Sequence, residues 1–223
     1  MSGVSSGQLR QALRAALAEV LADGGTDAAH DLAHTDRVWA NARTIAMGEG
    51  IQPTAVLMAA AYLHDLVSLP KDHPQHARAA TMSATTAGPI MEALGFAPRE
   101  IAMARHAIEA HSFSAGIEPQ TAEAAILRDA DRIEALGAVG IARCFAVSGG
   151  LGRALFHPDD PFARERTPDD KTFALDHFAA KLLQLPQTML TATGRALAEE
   201  RADMMRKYLQ ALARELHAPA PDW

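Results

Sequence analysis

The sequence is short of several features that define protein classes. It holds one cysteine, Cys144, which excludes a disulfide framework and a cysteine-based zinc site. No run of about 18 apolar residues occurs, so a membrane-spanning helix is not expected. The first residues, MSGVSSGQLR, lack a basic patch followed by an apolar stretch. A secretory signal is therefore not expected, and a cytoplasmic protein is the default. Positive charge is scarce: 21 Lys and Arg stand against 27 Asp and Glu, a formal net charge of -6. Nucleic-acid binding by phosphate neutralisation needs a basic surface, so that partner class is disfavoured. A local basic pocket for a small phosphate stays compatible with the balance. Alternating strand patterns and internal repeats are also missing. What is abundant is histidine: ten residues, seven of them from His30 to His111.

The 223 residues, 48% of them hydrophobic, are enough to bury a core without covalent staples. A single domain over 1–223 is expected. Leu9, Leu13, Leu17, Val20 and Leu21 recur at helical spacing, which predicts a helix over 8–22 closed by Gly24-Gly25. The spacing of His34, Val38, Asn41 and Ile45 predicts another over 31–48. Residues 54–66 carry no charge before His64-Asp65 and read as a buried helix. Further helices are expected over 75–94, 98–111, 118–136 and 137–147, with Pro98 and Pro119 as first-turn prolines. Glycines and prolines punctuate a loop over 148–170, long enough to suggest a function. Helices over 171–185 and 186–216 follow. The expected fold class is all-α.

One constellation carries chemistry. His64 and Asp65 follow the apolar stretch MAAAYL, and a buried charge must be paired, exposed or metal-bound. An isolated His-Asp dipeptide is ordinarily a hydrogen-bonded helix end. His34 adds an imidazole on the apolar face of the preceding helix. Asp131 adds a carboxylate in the apolar run AAILRDADRIEALGAVG, where a salt bridge to Arg128 or Arg132 is its ordinary fate. Two imidazoles and two carboxylates suit a divalent cation such as Mn, Mg, Fe, Co, Ni or Zn. Positions left open would take water and a substrate oxygen.

The order His34, His64-Asp65, Asp131 resembles the HD superfamily of metal-dependent phosphohydrolases. HDLAHTDRVWANA, YLHDLVSLPKDHPQ, HAIEAHSFSAGIEPQTAEAAILRDADRIEALGAVGIARCFAVSGGLG and LDHFAAKLLQLPQTM are similar to a branch of small stand-alone bacterial members, some of them nucleotide pyrophosphohydrolases. The resemblance spans roughly residues 30–200. It implies an HD helical bundle over about 26–147 with additional C-terminal helices. It also implies a divalent metal on His34, His64, Asp65 and Asp131; some relatives hold two metals with extra histidines in the interval where His106 and His111 lie, and one metal is expected here. Asp129 lies about 200° around a helix from Asp131 and cannot face the same point. His111 is the candidate catalytic group because imidazole titrates near neutrality, and His106 is expected to be structural. Arg37, one helical turn after His34, Lys71 in the loop after the HD pair, and Arg153 are the candidate phosphate contacts. The loop holding Arg153 is expected either to close over phosphates or to pack at a surface.

The implied reaction is hydrolysis of a nucleotide or similar small phosphorylated metabolite, first of all release of pyrophosphate from a nucleoside triphosphate. Alternatives are a 5′-nucleotidase-type phosphomonoesterase, a metal- and nucleotide-binding regulator without turnover, and an HD-fold oxygenase, which needs two irons and more ligands. Relatives often carry an acid just after the HD pair. Here Leu66-Val67-Ser68-Leu69 has none, a departure from the better-known mechanism. A homodimer through the last two helices is left open.

Overall fold

The computed structural model describes residues 5–24, 32–69 and 73–223. They divide into two compact units, the first ending at Asp131 and the second beginning at Arg132. The elements are helical, with one isolated bridge between Ala154 and Phe173. Among the described residues no single helix is long and apolar enough to cross a membrane.

The first unit is built around one short helix. Helix α3, Ala55–Leu63, starts at Thr54, whose hydroxyl accepts a hydrogen bond from the Leu57 N–H at 3.0 Å. Such a cap satisfies an otherwise orphaned donor. Residues 56–63 are all buried, as an apolar helix surrounded by others must be. Helices α1 (Ser6–Gly24), α2 (Leu32–Gly48), α4 (Ala79–Ala93) and α5 (Pro98–His111) pack against it. Leu9, Leu13 and Leu17 supply the inner face of α1, and Val38 and Ile45 that of α2. Pro98 opens α5, and Glu100 Oε2 accepts the Ala97 N–H at 2.8 Å. Helix α6 is Ala122–Ile133. It begins later than the sequence suggests because the Thr121 hydroxyl, rather than a first-turn Pro119, provides the start by accepting from Ala124 N–H.

A polar buckle ties α1, α2 and α3 together. The Tyr62 hydroxyl donates to Asp36 Oδ1 at 2.6 Å and accepts from Arg10 Nε at 2.7 Å. Arg10 and Arg14 both reach the Asp36 carboxylate, at 2.8 and 3.0 Å. Burial, reinforced by the Asp36 hydrogen bond, pushes the Tyr62 phenol from 10.0 up to about 12. The folded chain thus holds this proton more tightly than the unfolded chain does. Its stabilisation is complete below pH 10 and is lost as pH rises from 10 to about 12. Tyr62→Phe is expected to cost about 1–3 kcal/mol in urea unfolding at neutral pH, the range for hydrogen bonds to charged groups. It should also shrink the alkaline loss between pH 10 and 12. A stability profile matching the parent at both pH values would refute this role.

The second unit contains α7 (Gly137–Gly150), α8 (Asp176–Ala180), a 3-10 segment over Leu182–Thr188 and α9 (Ala192–Glu215). Helix α7 runs through Ser148–Gly150, so the loop expected from residue 148 begins later. It also extends further, and the long helix expected over 171–185 is reduced to the single turn of α8. The reason is a tertiary knot. Arg166 grips the buried Asp176 carboxylate with two N–H groups, and the Asp169 N–H donates to the same carboxylate. The Arg166 guanidinium also lies 4.8 Å from the centre of the Phe173 ring. These partners satisfy Asp176 away from water and hold the preceding segment in an irregular path. Lys181 and His177 meet Asp170 at 2.7 and 3.0 Å. The expected helix over 186–216 starts only after Thr191, which caps α9 by accepting from Gly194 N–H.

Candidate metal centre

Helix α3 stops one residue before His64, which occupies its C-cap and is fully buried. Its Nδ1 sits 2.9 Å from the Ala61 carbonyl. A carbonyl only accepts, so Nδ1 carries a proton there and Nε2 is turned into the site. His111, at the end of α5, repeats the device: Nδ1 donates to the Ile108 carbonyl at 2.6 Å. His34 is buried on the inner face of α2. Asp131 comes from α6, and Asn41 of α2 donates to the adjacent Ala130 carbonyl at 3.3 Å. This bond fixes α6 beside the helix that carries His34.

These side chains converge. His34 Nε2 is 3.5 Å from Asp131 Oδ1 and 4.0 Å from Asp65 Oδ2. His64 Nε2 is 3.3 Å from Asp65 Oδ2 and 3.7 Å from Asp131 Oδ1. His111 Nε2 is 3.4 Å from Asp65 Oδ1. Ligand atoms of His34, His64 and Asp131 all lie within 4.8 Å of one another, and so do those of His64, Asp65 and His111. His64 Nε2 is sealed from solvent, and none of these contacts has hydrogen-bond geometry at that atom. A buried nitrogen surrounded by carboxylate oxygens at these spacings fits a shared cation better than a set of mutual hydrogen bonds. The donor set therefore suits a divalent metal.

Electrostatics point the same way. Burial disfavours charge on His64, yet Asp65 and Asp131 outweigh it and hold the imidazole well above its ordinary value. Burial likewise opposes charge on the two carboxylates. His64 and His111 nevertheless hold Asp65 well below the usual range, and His34 and His64 do so for Asp131. The cluster favours positive charge at its centre.

The four residues expected as ligands are thus brought together, and His111, expected as the catalytic group, lies in the same cluster. Asp131, not the fully buried Asp129, belongs to it. Arg37 is half-buried on α2, one turn beyond His34. Arg153 belongs to the second unit, where its N–H donates to the Ser148 carbonyl at the end of α7. Lys71 lies outside the described residues. His106 has a structural partner, since its Nε2 accepts the Gln120 N–H. Neither Asn41 nor Arg128, which is buried one turn before Asp131, stands out in the sequence. Their only signal is a polar residue on an otherwise apolar helix face.

A helical unit that turns two imidazoles and two carboxylates inward, from α2, the end of α3 and α6, has a metal-dependent hydrolase architecture. The HD domain family model matches residues 31–136, the segment carrying all five clustered side chains, so that segment is an HD domain. It is similar to YpgQ of Bacillus subtilis (strain 168), with 38% identity over 99 residues. That match covers 44% of this chain and 42% of YpgQ, less than half the relative's length. Solved structures resemble the chain more extensively. The crystal structure of Bacillus subtilis YpgQ in complex with ADP has a TM-score of 0.69 at 28% identity, covering 93% of this chain and 95% of that one. An HD-superfamily hydrolase from Bacillus thuringiensis has a TM-score of 0.73 at 27% identity, covering 96% and 100%. A predicted HD superfamily hydrolase from an uncultured Thermotogales bacterium has a TM-score of 0.61 at 26% identity, covering 92% and 91%.

Proposed function

We propose that this chain is a divalent-metal-dependent phosphohydrolase acting on nucleotides, and that it releases pyrophosphate from nucleoside triphosphates. The observation that carries the reading is the cluster of His34, His64, Asp65 and Asp131 inside the HD segment. The ADP bound to the similar YpgQ structure supports the nucleotide class. One divalent ion would be held by these four side chains. When bound, such an ion polarises a phosphoryl oxygen and makes water more acidic.

The remaining chemistry falls to the chain. No acid stands in Leu66-Val67-Ser68-Leu69, so proton transfer is assigned to His111. The Ile108 carbonyl occupies its Nδ1, which leaves Nε2 to accept and return a proton at the centre of the cluster. Arg37 contacts substrate phosphate from α2, where phosphoryl transfer needs positive charge more than covalent chemistry. Lys71 and Arg153 are the other proposed phosphate contacts.

The test is a turnover screen. The purified protein is supplied in turn with Mn, Mg, Co, Ni, Fe and Zn and a panel of nucleoside mono-, di- and triphosphates. Released pyrophosphate is separated from orthophosphate. Metal-dependent pyrophosphate release is the expected result. Orthophosphate from monophosphates would replace the reading by a phosphomonoesterase, and tight nucleotide binding with no turnover under any metal would replace it by a regulator.

A further inference from the structure

Arg128 is an arginine with too little compensation. It is only 9% exposed, deep in α6, with Ala124, Leu127, Ala130 and Ile133 of the same helix buried. Its ion-pair partner among the described residues is Glu118, at a loose 3.9 Å, and that carboxylate is 84% exposed. Its Nε is sealed from solvent and has no hydrogen-bond partner. Guanidinium is always charged, and a buried charge without close partners is costly. Each such group in a native structure has a reason, and a bound anion that completes it is one.

The placement of Arg128 says which ligand. It lies three residues before Asp131, so the two side chains leave neighbouring parts of one helix face, with Cβ atoms about 5–6 Å apart. Side chains on a helix lean toward its N-terminus. The Arg128 guanidinium ends 3.9 Å from Glu118, in the segment 112–121 that joins His111 to α6, one helical turn from the residue that carries the Asp131 carboxylate. A single phosphate among the metal-site carboxylates would be left behind. An extended anion of two or more linked phosphates would not.

We infer that Arg128 is a substrate-positioning residue that binds the distal phosphates of a polyphosphate anchored at the His34–His64–Asp65–Asp131 cluster, with Glu118 occupying the guanidinium until the anion displaces it. The inference rests on the phosphohydrolase reading for its ligand class. It deepens that reading by making selectivity for two or more linked phosphates a property of one side chain. Arg is suited to the task because its planar fork matches phosphate oxygens.

The experiment is calorimetric titration of the full-length protein, in manganese-containing buffer, with inorganic pyrophosphate and with orthophosphate. Arg128→Gln is expected to weaken pyrophosphate binding at least about tenfold, the loss of one charge-assisted contact. Arg128→Lys should recover part of it. Glu118→Ala changes an exposed residue and should leave the fold intact. It is expected to tighten pyrophosphate binding about two- to fivefold by removing a competing carboxylate. A purely structural Arg128 would not produce that gain, so this arm decides the matter even if Arg128→Gln fails to fold. Pyrophosphate binding no tighter than orthophosphate in the parent overturns the inference, as does Glu118→Ala binding no tighter than the parent. The turnover screen is separate. Arg128-dependent pyrophosphate binding without nucleotide hydrolysis would refute the phosphohydrolase reading and still support this one.

Discussion

Asp131→Ala is expected to abolish metal-dependent turnover, with kcat/KM falling by about a thousandfold or more, roughly 4 kcal/mol at 1.36 kcal/mol per decade. The carboxylate is the point at which α6 enters the cluster, 3.5 Å from His34 Nε2 and 3.7 Å from His64 Nε2. Its removal leaves two imidazoles and one carboxylate with less negative charge to offset a dication. Metal content of the purified variant, measured by elemental analysis, should fall with activity. Asn41 still holds α6 through the Ala130 carbonyl, so circular dichroism should stay helical. A variant that keeps full metal content and turnover would remove Asp131 from the site.

The largest expected effect on stability lies in the second unit. A Cβ built on Gly140 falls far inside contact distance of the Ala135 carbonyl. The clash is with backbone, which cannot swing aside as a side chain can. Alanine gains about 1 kcal/mol of helix propensity over glycine, but the displaced backbone outweighs it. Gly140→Ala is expected to lose about 3 kcal/mol, the upper end for overpacking, read as a lower urea midpoint. Gly149, on the same helix, meets nothing within 4 Å. Gly149→Ala should therefore be neutral or stabilising by up to about 1 kcal/mol. Equal effects at the two positions would show that propensity rather than packing governs α7.

The parts of the fold legible in the sequence are those fixed by local chemistry. Pro98 marks the start of α5, and the expected span 98–111 is the one found. The uninterrupted apolar run before His64 reads correctly as the buried helix. It ends sooner than the pattern suggests, because His64 caps it and Asp65 leaves the helix to face His64 and His111. The C-terminal half was less legible. The helix expected from residue 171 is displaced because Arg166 and the Asp169 N–H bind the Asp176 carboxylate, a side-chain knot over seven to ten residues that helix propensity does not register. The same distinction holds at the site. Residue types and order nominate His34, His64, Asp65 and Asp131. Neither spacing nor propensity reveals that Nε2 of His111 reaches Asp65, or that Asn41 secures Ala130. Those are products of how α2, α5 and α6 pack.

The Tyr62–Asp36 hydrogen bond has a consequence beyond stability. Asp36 follows His34 by two residues on α2, and Tyr62 precedes His64 by two near the end of α3. The two imidazoles are borne on backbones cross-tied a short step from each. The bond thus acts as a calliper, setting the jaw width of a site whose donors it never touches. Alkali strong enough to ionise the phenol removes the proton that this tie donates. Metal retention would then report on a tyrosine that binds no metal.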